Sequence, residues 1–169
     1  GLKPARVIER LGALNAPRAI SLIAIHTHDI PVPFPDGALA EARRARAPRP
    51  TRREDIRHIP LITIDGEDAR DFDDAISAEE IEVGKRRIWV HIADVSAFVR
   101  PGSALDDEAI RRATSVYVPG TVEPMLPHSL SSGACSLVPG EDRLAVTVRM
   151  DFDGAKCVDA EVMRSIIRS

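Results

Sequence analysis

The chain has 169 residues, 44% of them apolar and 4% aromatic, which suits one domain with a core of mostly Ile, Val, Leu and Ala. So few aromatic residues argue against a broad platform for stacking bases. Lys and Arg number 23 against 26 Asp and Glu, so the formal net charge of −3 excludes whole-chain basicity as an argument for nucleic-acid binding.

The two cysteines, Cys135 and Cys157, form no CxxC pair, so the sequence indicates neither a disulfide framework nor a zinc site. Residues 1–4 do not resemble a leader sequence, and no apolar run approaches the roughly 18 residues that span a bilayer. We therefore expect a cytoplasmic chain with no membrane partner. Because the chain begins without Met and stops inside a predicted strand, we expect it to be a piece of a longer polypeptide.

The N-terminal third predicts a short strand and two helices. Residues 5–11 alternate weakly and are expected to form a strand that ends at Gly12. A helix is expected to start near Pro17 and stop before Pro31, because a pattern of helical spacing runs through Ile20, Ile23, Ala24 and Thr27. After an extended segment rich in proline, a second helix is expected to be capped by Asp36 and to run through Leu39 and Ala42.

An arginine-rich stretch follows the second predicted helix. It contains seven arginines between Arg43 and Arg57, together with Pro48 and Pro50, and it shows no apolar period. Such a stretch is typical of a solvated linker. The alternative, an arm that binds phosphates, stays open at this point.

The remainder of the chain predicts strands around one helix. A short strand is expected at 61–64, a hairpin from 75–83 and 88–93 with its turn at Gly84, and a second hairpin from 143–152 and 156–167 around Asp153-Gly154. Ser103 to Ala113 predicts a helix with a capping pair at Ser103 and Asp106. The fold class is therefore α+β, with a mixed, mainly antiparallel sheet and helices.

Six acidic residues lie between Asp65 and Asp74, directly between two predicted strands. Carboxylates packed this closely repel one another, so the cluster is most favourable when a divalent cation occupies it. Ligands that are all oxygen select Mg²⁺, Mn²⁺ or Ca²⁺ over zinc. An EF-hand is excluded, because counting from Asp65 the sixth position is Arg70 and the twelfth is Ile76.

A charged surface turn is the alternative for this acidic stretch, since acidic runs are commonly solvated. Two features favour a ligand set: the apolar segments on both sides, and Phe72, a residue that is expected to be buried within the run. From composition and spacing alone, both interpretations stay open.

The stretch from Thr63 to Ala75, TIDGEDARDFDDA, closely resembles the signature of the RNase II/RNase R exoribonucleases. The resemblance continues in the same order through four further blocks: HIADVS at 91–96, TSVYVP at 114–119, PMLP at 124–127, and LS at 130–131 followed by CSL at 135–137. The match covers about residues 54–169. A weaker similarity assigns residues 1–53 to the end of an OB-type RNA-binding domain plus a helical, arginine-rich connector.

The resemblance implies a hydrolytic, processive 3′→5′ exoribonuclease that degrades single-stranded RNA to nucleoside 5′-monophosphates. It implies Mg²⁺ as the cofactor, with Mn²⁺ as a substitute, and residues 54–169 as the N-terminal part of an RNB-type catalytic domain. The C-terminal half of that domain, which supplies the rest of the RNA channel in the family, is missing from this sequence.

Five residues match the functional positions of the family. The resemblance assigns metal binding to four aspartates: Asp65, Asp71, Asp73 and Asp74. It implies that turnover depends most on Asp73. It also implies that Tyr117 contacts the RNA near the scissile end. In a regular strand, Asp71 and Asp73 would face one side and Asp74 the other, so all four converge only if the chain bends there.

The other polar residues are expected to be structural. Arg70 is expected to form an ion pair with the acidic cluster, and Asp94 to accept backbone hydrogen bonds. Cys135 is interpreted as a small core residue. Glu67 and Asp68 are interpreted as solvated loop acids, and all five histidines as structural: His26, His28, His58, His91 and His128.

Two alternatives to an exoribonuclease remain. The first is a non-catalytic RNA-binding or regulatory fragment of the same fold. The second is an unrelated Mg²⁺-dependent phosphotransfer enzyme that uses the acidic triplet Asp71, Asp73 and Asp74, an interpretation that leaves the later sequence blocks unexplained.

Overall fold

Strong turn signals and alternating strands produce a five-stranded sheet. The computed structural model describes residues 4–7, 12–13, 16–67 and 69–169. The main strands are β2 (Asp74–Glu82), β3 (Lys85–Ala93), β6 (Asp142–Asp153) and β7 (Lys156–Arg168), and the two-residue strand β1 (Glu54–Asp55) completes the sheet. The strand order is β1-β7-β6-β3-β2, in which only the β1–β7 pair is parallel. The predicted α+β class is therefore confirmed.

Both predicted hairpins are present. The β2–β3 turn contains Gly84 at φ +80° and the β6–β7 turn contains Gly154 at φ +59°, a backbone region that glycine enters at little cost. The register pairs Ala75 with His91 and His91 with Thr147, so small and polar side chains share the buried face of the sheet.

Within the described residues, three α-helices and a small second sheet accompany the main sheet. The helices are α1 (Pro17–Thr27), α2 (Asp36–Arg44) and α3 (Ala104–Arg112), and the short strands β4 (Val116–Val118) and β5 (Thr121–Glu123) pair with each other. Helix α3 begins as predicted, because the Ser103 side chain accepts a hydrogen bond from the backbone N–H of Asp106. Ser21 of α1 donates a hydrogen bond of 2.7 Å to the Pro119 carbonyl and so attaches α1 to the β4–β5 turn.

The core consists almost entirely of aliphatic side chains, as the composition predicts. It joins Ala38 and Ala42 of α2, Leu105 of α3 and Ala145 of β6 to Leu130, which begins the short π-helix Leu130–Ala134, and to Leu137 in the loop after it. Leu105, Leu130 and Leu137 are at most 2% exposed. Full burial of each such side chain contributes on the order of 1.5–3 kcal/mol to folding.

Four predictions about the helices and strands require correction or comment. The N-cap of α2 is Pro35, and Asp36 is the first helical residue, where its charge favours the positive end of the helix dipole. Residues 61–64 form no strand, because only Ile62 bridges to Ile76 at the edge of the sheet. Helix α1 buries Ala19 and Ile25, whereas Ile20 and Ile23 are 69% and 44% exposed. The predicted strand at 5–11 lies partly outside the described residues, and residues 4–7 are neither helix nor strand.

The arginine-rich stretch is largely tied to the folded domain. Arg43 and Arg44 belong to α2, and Arg57 forms ion pairs with Asp55 and Asp142. Arg53 lies in the interior, where its side chain is 5% exposed and pairs with Asp94 at 2.5 Å. A fully solvated linker is therefore wrong for Arg53 and Arg57, since their guanidinium groups bind partners within the chain.

Candidate functional site

The acidic residues lie in an irregular segment that leads into β2. Residues 71–73 are outside any strand, and β2 begins at Asp74. The side chains of these residues therefore do not alternate strictly between the two faces of a strand. Asp74 is not forced to point away from Asp71 and Asp73, as the convergence of the four aspartates requires. Phe72 packs against the hydrophobic core and anchors the middle of the segment.

All four predicted aspartates line one open cleft of about 840 Å³. The opposite wall of this acidic cleft comes from the β4–β5 hairpin and the segment after it, and includes Tyr117, Val122, His128, Ser131 and Ser132. A smaller cavity of about 220 Å³ adjoins Asp71 and Asp73 and is lined mainly by apolar side chains, among them Ile92, Met125 and Leu126. The fold thus places a polar cleft and an apolar recess on either side of the same carboxylates.

The electrostatics of the acidic cleft centre on Asp73. Partial desolvation, followed by the negative charges of Asp71, Asp74 and Asp65, raises the pKa of Asp73 above its usual value. Partial desolvation is the largest cause of this rise, and repulsion by the other three carboxylates adds to it. A divalent cation between them would relieve this repulsion, and the donor set of oxygen atoms is the one that Mg²⁺ and Mn²⁺ prefer.

The carboxylates share the cleft without already forming a closed ligand set. Among residues 4–7, 12–13, 16–67 and 69–169, no three His, Cys, Asp or Glu side chains are grouped tightly enough to hold a metal ion. The donor chemistry therefore fits a hard divalent cation, whereas binding would have to draw the side chains closer together.

Tyr117 contacts the acidic segment directly. Its hydroxyl donates a hydrogen bond of 2.7 Å to Asp71 Oδ2, although the two residues are 46 positions apart. This bond is the main cause that raises the pKa of Tyr117 to about 12. The side chain is 63% exposed, so most of the ring faces the solvent of the cleft.

One expectation about the charged residues is wrong and another is incomplete. Arg70 forms no ion pair with any described residue, and its backbone carbonyl instead accepts a hydrogen bond from Ser136. Asp94 accepts a backbone hydrogen bond, as expected, from the Ala97 amide at 3.0 Å, and its carboxylate also accepts hydrogen bonds from Arg53 and Ser96. Burial alone would raise the pKa of Asp94, but these hydrogen bonds outweigh it and the pKa is lowered.

The remaining predicted residues divide between the core and the cleft. His91 is fully buried and bonds through Nδ1 to Thr147 Oγ1 at 2.8 Å, as a structural histidine would. Cys135 is 3% exposed, which confirms it as a core residue, and burial raises the pKa of its thiol to about 12. His128 lies in the wall of the acidic cleft, and no sequence signal distinguished it from the other histidines. Asp68 lies outside the described residues.

A second groove, of about 550 Å³, lies between residues 42–50 and the end of the sheet. Its single carboxylate, Asp142, is neutralised by ion pairs with Arg57 and Arg168. The acidic cleft is therefore the place where the described residues concentrate reactive groups. Within the described part of the chain, no helix is both long and apolar enough to cross a membrane.

An α+β domain whose sheet carries a carboxylate-lined cleft at the start of one strand is a framework for metal-assisted chemistry. The RNB domain family matches residues 53–169, and the chain belongs to this family. It is 47% identical over 172 residues to ribonuclease R of Thermotoga maritima, a match that covers 98% of this chain and 24% of that protein.

Solved structures give the same result for the fold. RNase R of Mycoplasma genitalium, solved in complex with double-stranded RNA, superposes with a TM-score of 0.87 at 28% identity and covers 94% of this chain and 29% of that one. Yeast Ssd1, described as a pseudonuclease, shares the fold with a TM-score of 0.61 at 20% identity over 82% of this chain and 16% of its own. The chain thus spans less than a third of each of these three proteins.

Proposed function

We propose that this chain is the metal-binding part of a Mg²⁺-dependent, hydrolytic 3′→5′ exoribonuclease domain that releases nucleoside 5′-monophosphates from single-stranded RNA. The observation that carries the proposal is the convergence of Asp65, Asp71, Asp73 and Asp74 on one cleft. Membership of the RNB family and the similarity to ribonuclease R support it. The expected cytoplasmic location belongs to the same proposal.

The four aspartates would hold Mg²⁺ or Mn²⁺. Bound there, the ion would supply Lewis-acid stabilisation of the charge that develops on the phosphate oxygens during an in-line displacement. Asp73 is the aspartate on which turnover should depend most, because partial desolvation, followed by the negative charges of the other three aspartates, raises its pKa. A carboxylate in such surroundings gains most from a cation and loses most when it is replaced by an amide.

Tyr117 would contact the RNA near the scissile end. Its exposed ring offers a face for a base or ribose, while its hydroxyl stays bonded to Asp71. The ring and the carboxylate are therefore held at a fixed mutual position, which would align the terminal nucleotide with the aspartates.

Processive degradation should require more than this chain. The described cleft is open, whereas retention of RNA between cycles requires an enclosed channel, and displacement at phosphorus requires cationic groups besides the metal. Because the chain spans 24% of the T. maritima ribonuclease R, the rest of the channel would come from the remainder of an RNB-type catalytic domain.

A non-catalytic RNA-binding fragment is the second candidate. It is favoured because the carboxylates of the described residues are not grouped closely enough to form a ready set of metal ligands. The fold alone does not decide between the two candidates, since Ssd1 shares it and is described as a pseudonuclease.

The test is a chimera in which residues 1–169 replace the matching segment of T. maritima ribonuclease R. With Mg²⁺ and 5′-labelled single-stranded RNA, the chimera should release nucleoside 5′-monophosphates and shorten the RNA from its 3′ end. Asp73→Asn should abolish hydrolysis while RNA affinity changes by a few fold at most. The matched control is Asp107→Asn, an exposed aspartate on α3, which should leave the rate unchanged.

Two results separate the candidates. A folded chimera that binds RNA but degrades none would favour the RNA-binding fragment. Equal rates of RNA hydrolysis for the chimera and its Asp73→Asn variant would show that the acidic cleft takes no part in the reaction.

A further inference from the structure

Ser136 lies in the Cys135-Ser136-Leu137 stretch, one of the blocks that carries the family resemblance, and the proposed chemistry assigns it no part. The residue is fully buried, as is Leu137 beside it. A hydroxyl held in the interior is costly unless both its donor and acceptor capacity are used. The partners of Ser136 therefore indicate what the residue does.

Both partners of the Ser136 side chain are backbone groups of the acidic segment. Ser136 Oγ accepts a hydrogen bond from the Phe72 amide at 3.0 Å and donates one to the Arg70 carbonyl at 3.0 Å. The next residue adds a third link, because the Leu137 amide donates to the Phe72 carbonyl at 2.9 Å. These three bonds hold the backbone immediately before and after Asp71.

Ser136 is itself fixed to the sheet. The Nε atom of Arg143, which lies on β6, donates to the Ser136 carbonyl at 2.8 Å. The bonds of Ser136 and Leu137 to residues 70 and 72 form what we call the Ser136 clamp. Its two side-chain bonds join residues that are 64–66 positions apart in the chain, and through Arg143 the clamp connects the acidic segment to β6. Around Asp71 the acidic segment has no strand pairing of its own, since residues 71–73 are outside any strand. The first backbone bond to the sheet comes at Asp73, whose carbonyl accepts a hydrogen bond from the Ala93 amide at 2.9 Å.

The hydrogen bonds of Ser136 oppose the mutual repulsion between the aspartates. Four carboxylates between Asp65 and Asp74, the first residue of β2, favour a backbone that relaxes outward and separates them. The Ser136 bonds and the packing of Phe72 oppose that movement on either side of Asp71 and directly before Asp73. Groups that orient metal ligands typically change metal affinity by 10–100-fold when they are removed.

We propose that Ser136 is a positioning residue for the metal-binding aspartates, acting through the backbone of residues 70–72. This inference rests on the proposed metal site, but it adds a contact that neither composition nor the acidic motif reveals. Ser136 touches neither RNA nor the ion in this account. Its effect passes through the position of Asp71 and Asp73.

A matched control exists elsewhere in the core. Ser165 of β7 is also fully buried and is hydrogen-bonded through its hydroxyl to Thr147 Oγ1 at 2.6 Å and to the Ala145 carbonyl at 3.3 Å. Ser165→Ala and Ser136→Ala therefore delete the same atom from equally buried sites. Only Ser136→Ala removes hydrogen bonds to the backbone of the acidic segment.

The experiment combines amide exchange with Mn²⁺ titration on the chain itself. In the wild type, hydrogen exchange by NMR should show a protected Phe72 amide in spite of its irregular surroundings. Ser136→Ala should speed exchange at Phe72 and weaken Mn²⁺ binding by about 10-fold or more in isothermal titration calorimetry. Ser165→Ala should leave both unchanged, and Ser136→Thr, which keeps the hydroxyl, should restore Phe72 protection and Mn²⁺ affinity.

Each result bears on a different step. An unprotected Phe72 amide in the wild type refutes the clamp, whether or not the variants fold. Faster exchange with unchanged Mn²⁺ affinity makes Ser136 a stabilising residue only and overturns its positioning role. A wild-type chain that binds no Mn²⁺ overturns the proposed metal site and this inference with it, whereas tight binding with an inactive chimera overturns only the exoribonuclease activity.

Discussion

Removal of the Arg53 guanidinium should destabilise the domain strongly, although Arg53 belongs to an arginine-rich stretch that resembles a solvated linker. Arg53 and Asp94 form an ion pair in which the side chains are 5% and 1% exposed. Arg53→Met would leave the Asp94 carboxylate buried beside Ser96 as its remaining side-chain donor. Breaking a buried pair in this way costs about 3–5 kcal/mol, because an uncompensated charge remains in the interior.

The magnitude can be measured by urea unfolding followed through the fluorescence of Trp89, the single tryptophan, which is 7% exposed. A loss of about 3–5 kcal/mol is a large share of the 5–15 kcal/mol that typical domains have. In a double-mutant cycle, Arg53→Met combined with Asp94→Asn should lose clearly less than the sum of the single losses, because the unpaired charge is gone.

Arg57→Met is the control for Arg53→Met, since Arg57 forms ion pairs at the exposed surface. It should have a much smaller effect, because solvent screens such pairs. A change within about 0.5 kcal/mol for Arg53→Met would be the behaviour of a surface residue. That result would refute the structural role of this arginine.

Two further predictions concern the core and the cleft. Desolvation lowers the pKa of the buried His91 to about 4 from its usual 6.5, so the unfolded chain binds the proton first as the pH falls, and stability should decrease by about 2 kcal/mol between roughly pH 7 and pH 5. His91→Gln should lack this component in urea titrations at the two pH values, and an equal loss in both proteins would contradict a neutral buried His91. In the chimera, Tyr117→Ala should change the length of the final undegraded fragment more than the rate of its formation; a gel with identical end products for both proteins would rule out the RNA contact.

The features that could be predicted from the sequence are local ones. Both hairpins follow from glycine-containing turns between alternating strands, and α3 follows from its Ser103 cap. The acidic cluster was recognisable because six acids lie within ten positions. The choice of four aspartates among them came from the family resemblance, since composition and spacing alone left a charged surface turn open.

The missed features depend on tertiary contacts. Residues 61–64 have strand composition but lie at a sheet edge with one bridge, and edge pairing cannot be deduced from propensity. Arg53 has the same local surroundings as the solvated arginines near it, and only its position over β6 and β7 shows that it is buried. The Tyr117–Asp71 bond and the Ser136 clamp span 46 and 64–66 positions, and no periodicity links residues so far apart.

The most direct test of the central claim, that the four aspartates bind a divalent cation, is a thermal melt of the chain with and without Mg²⁺. Binding at ten times the Kd stabilises the folded state by about 1.4 kcal/mol, which should raise the Tm by roughly 3–6 °C. Asp73→Asn should raise the Tm in the absence of metal, because it relieves repulsion among the carboxylates, and it should shrink the response to Mg²⁺. A wild-type Tm that does not move on addition of Mg²⁺, or an Asp73→Asn variant that responds as strongly as the wild type, would contradict the metal site.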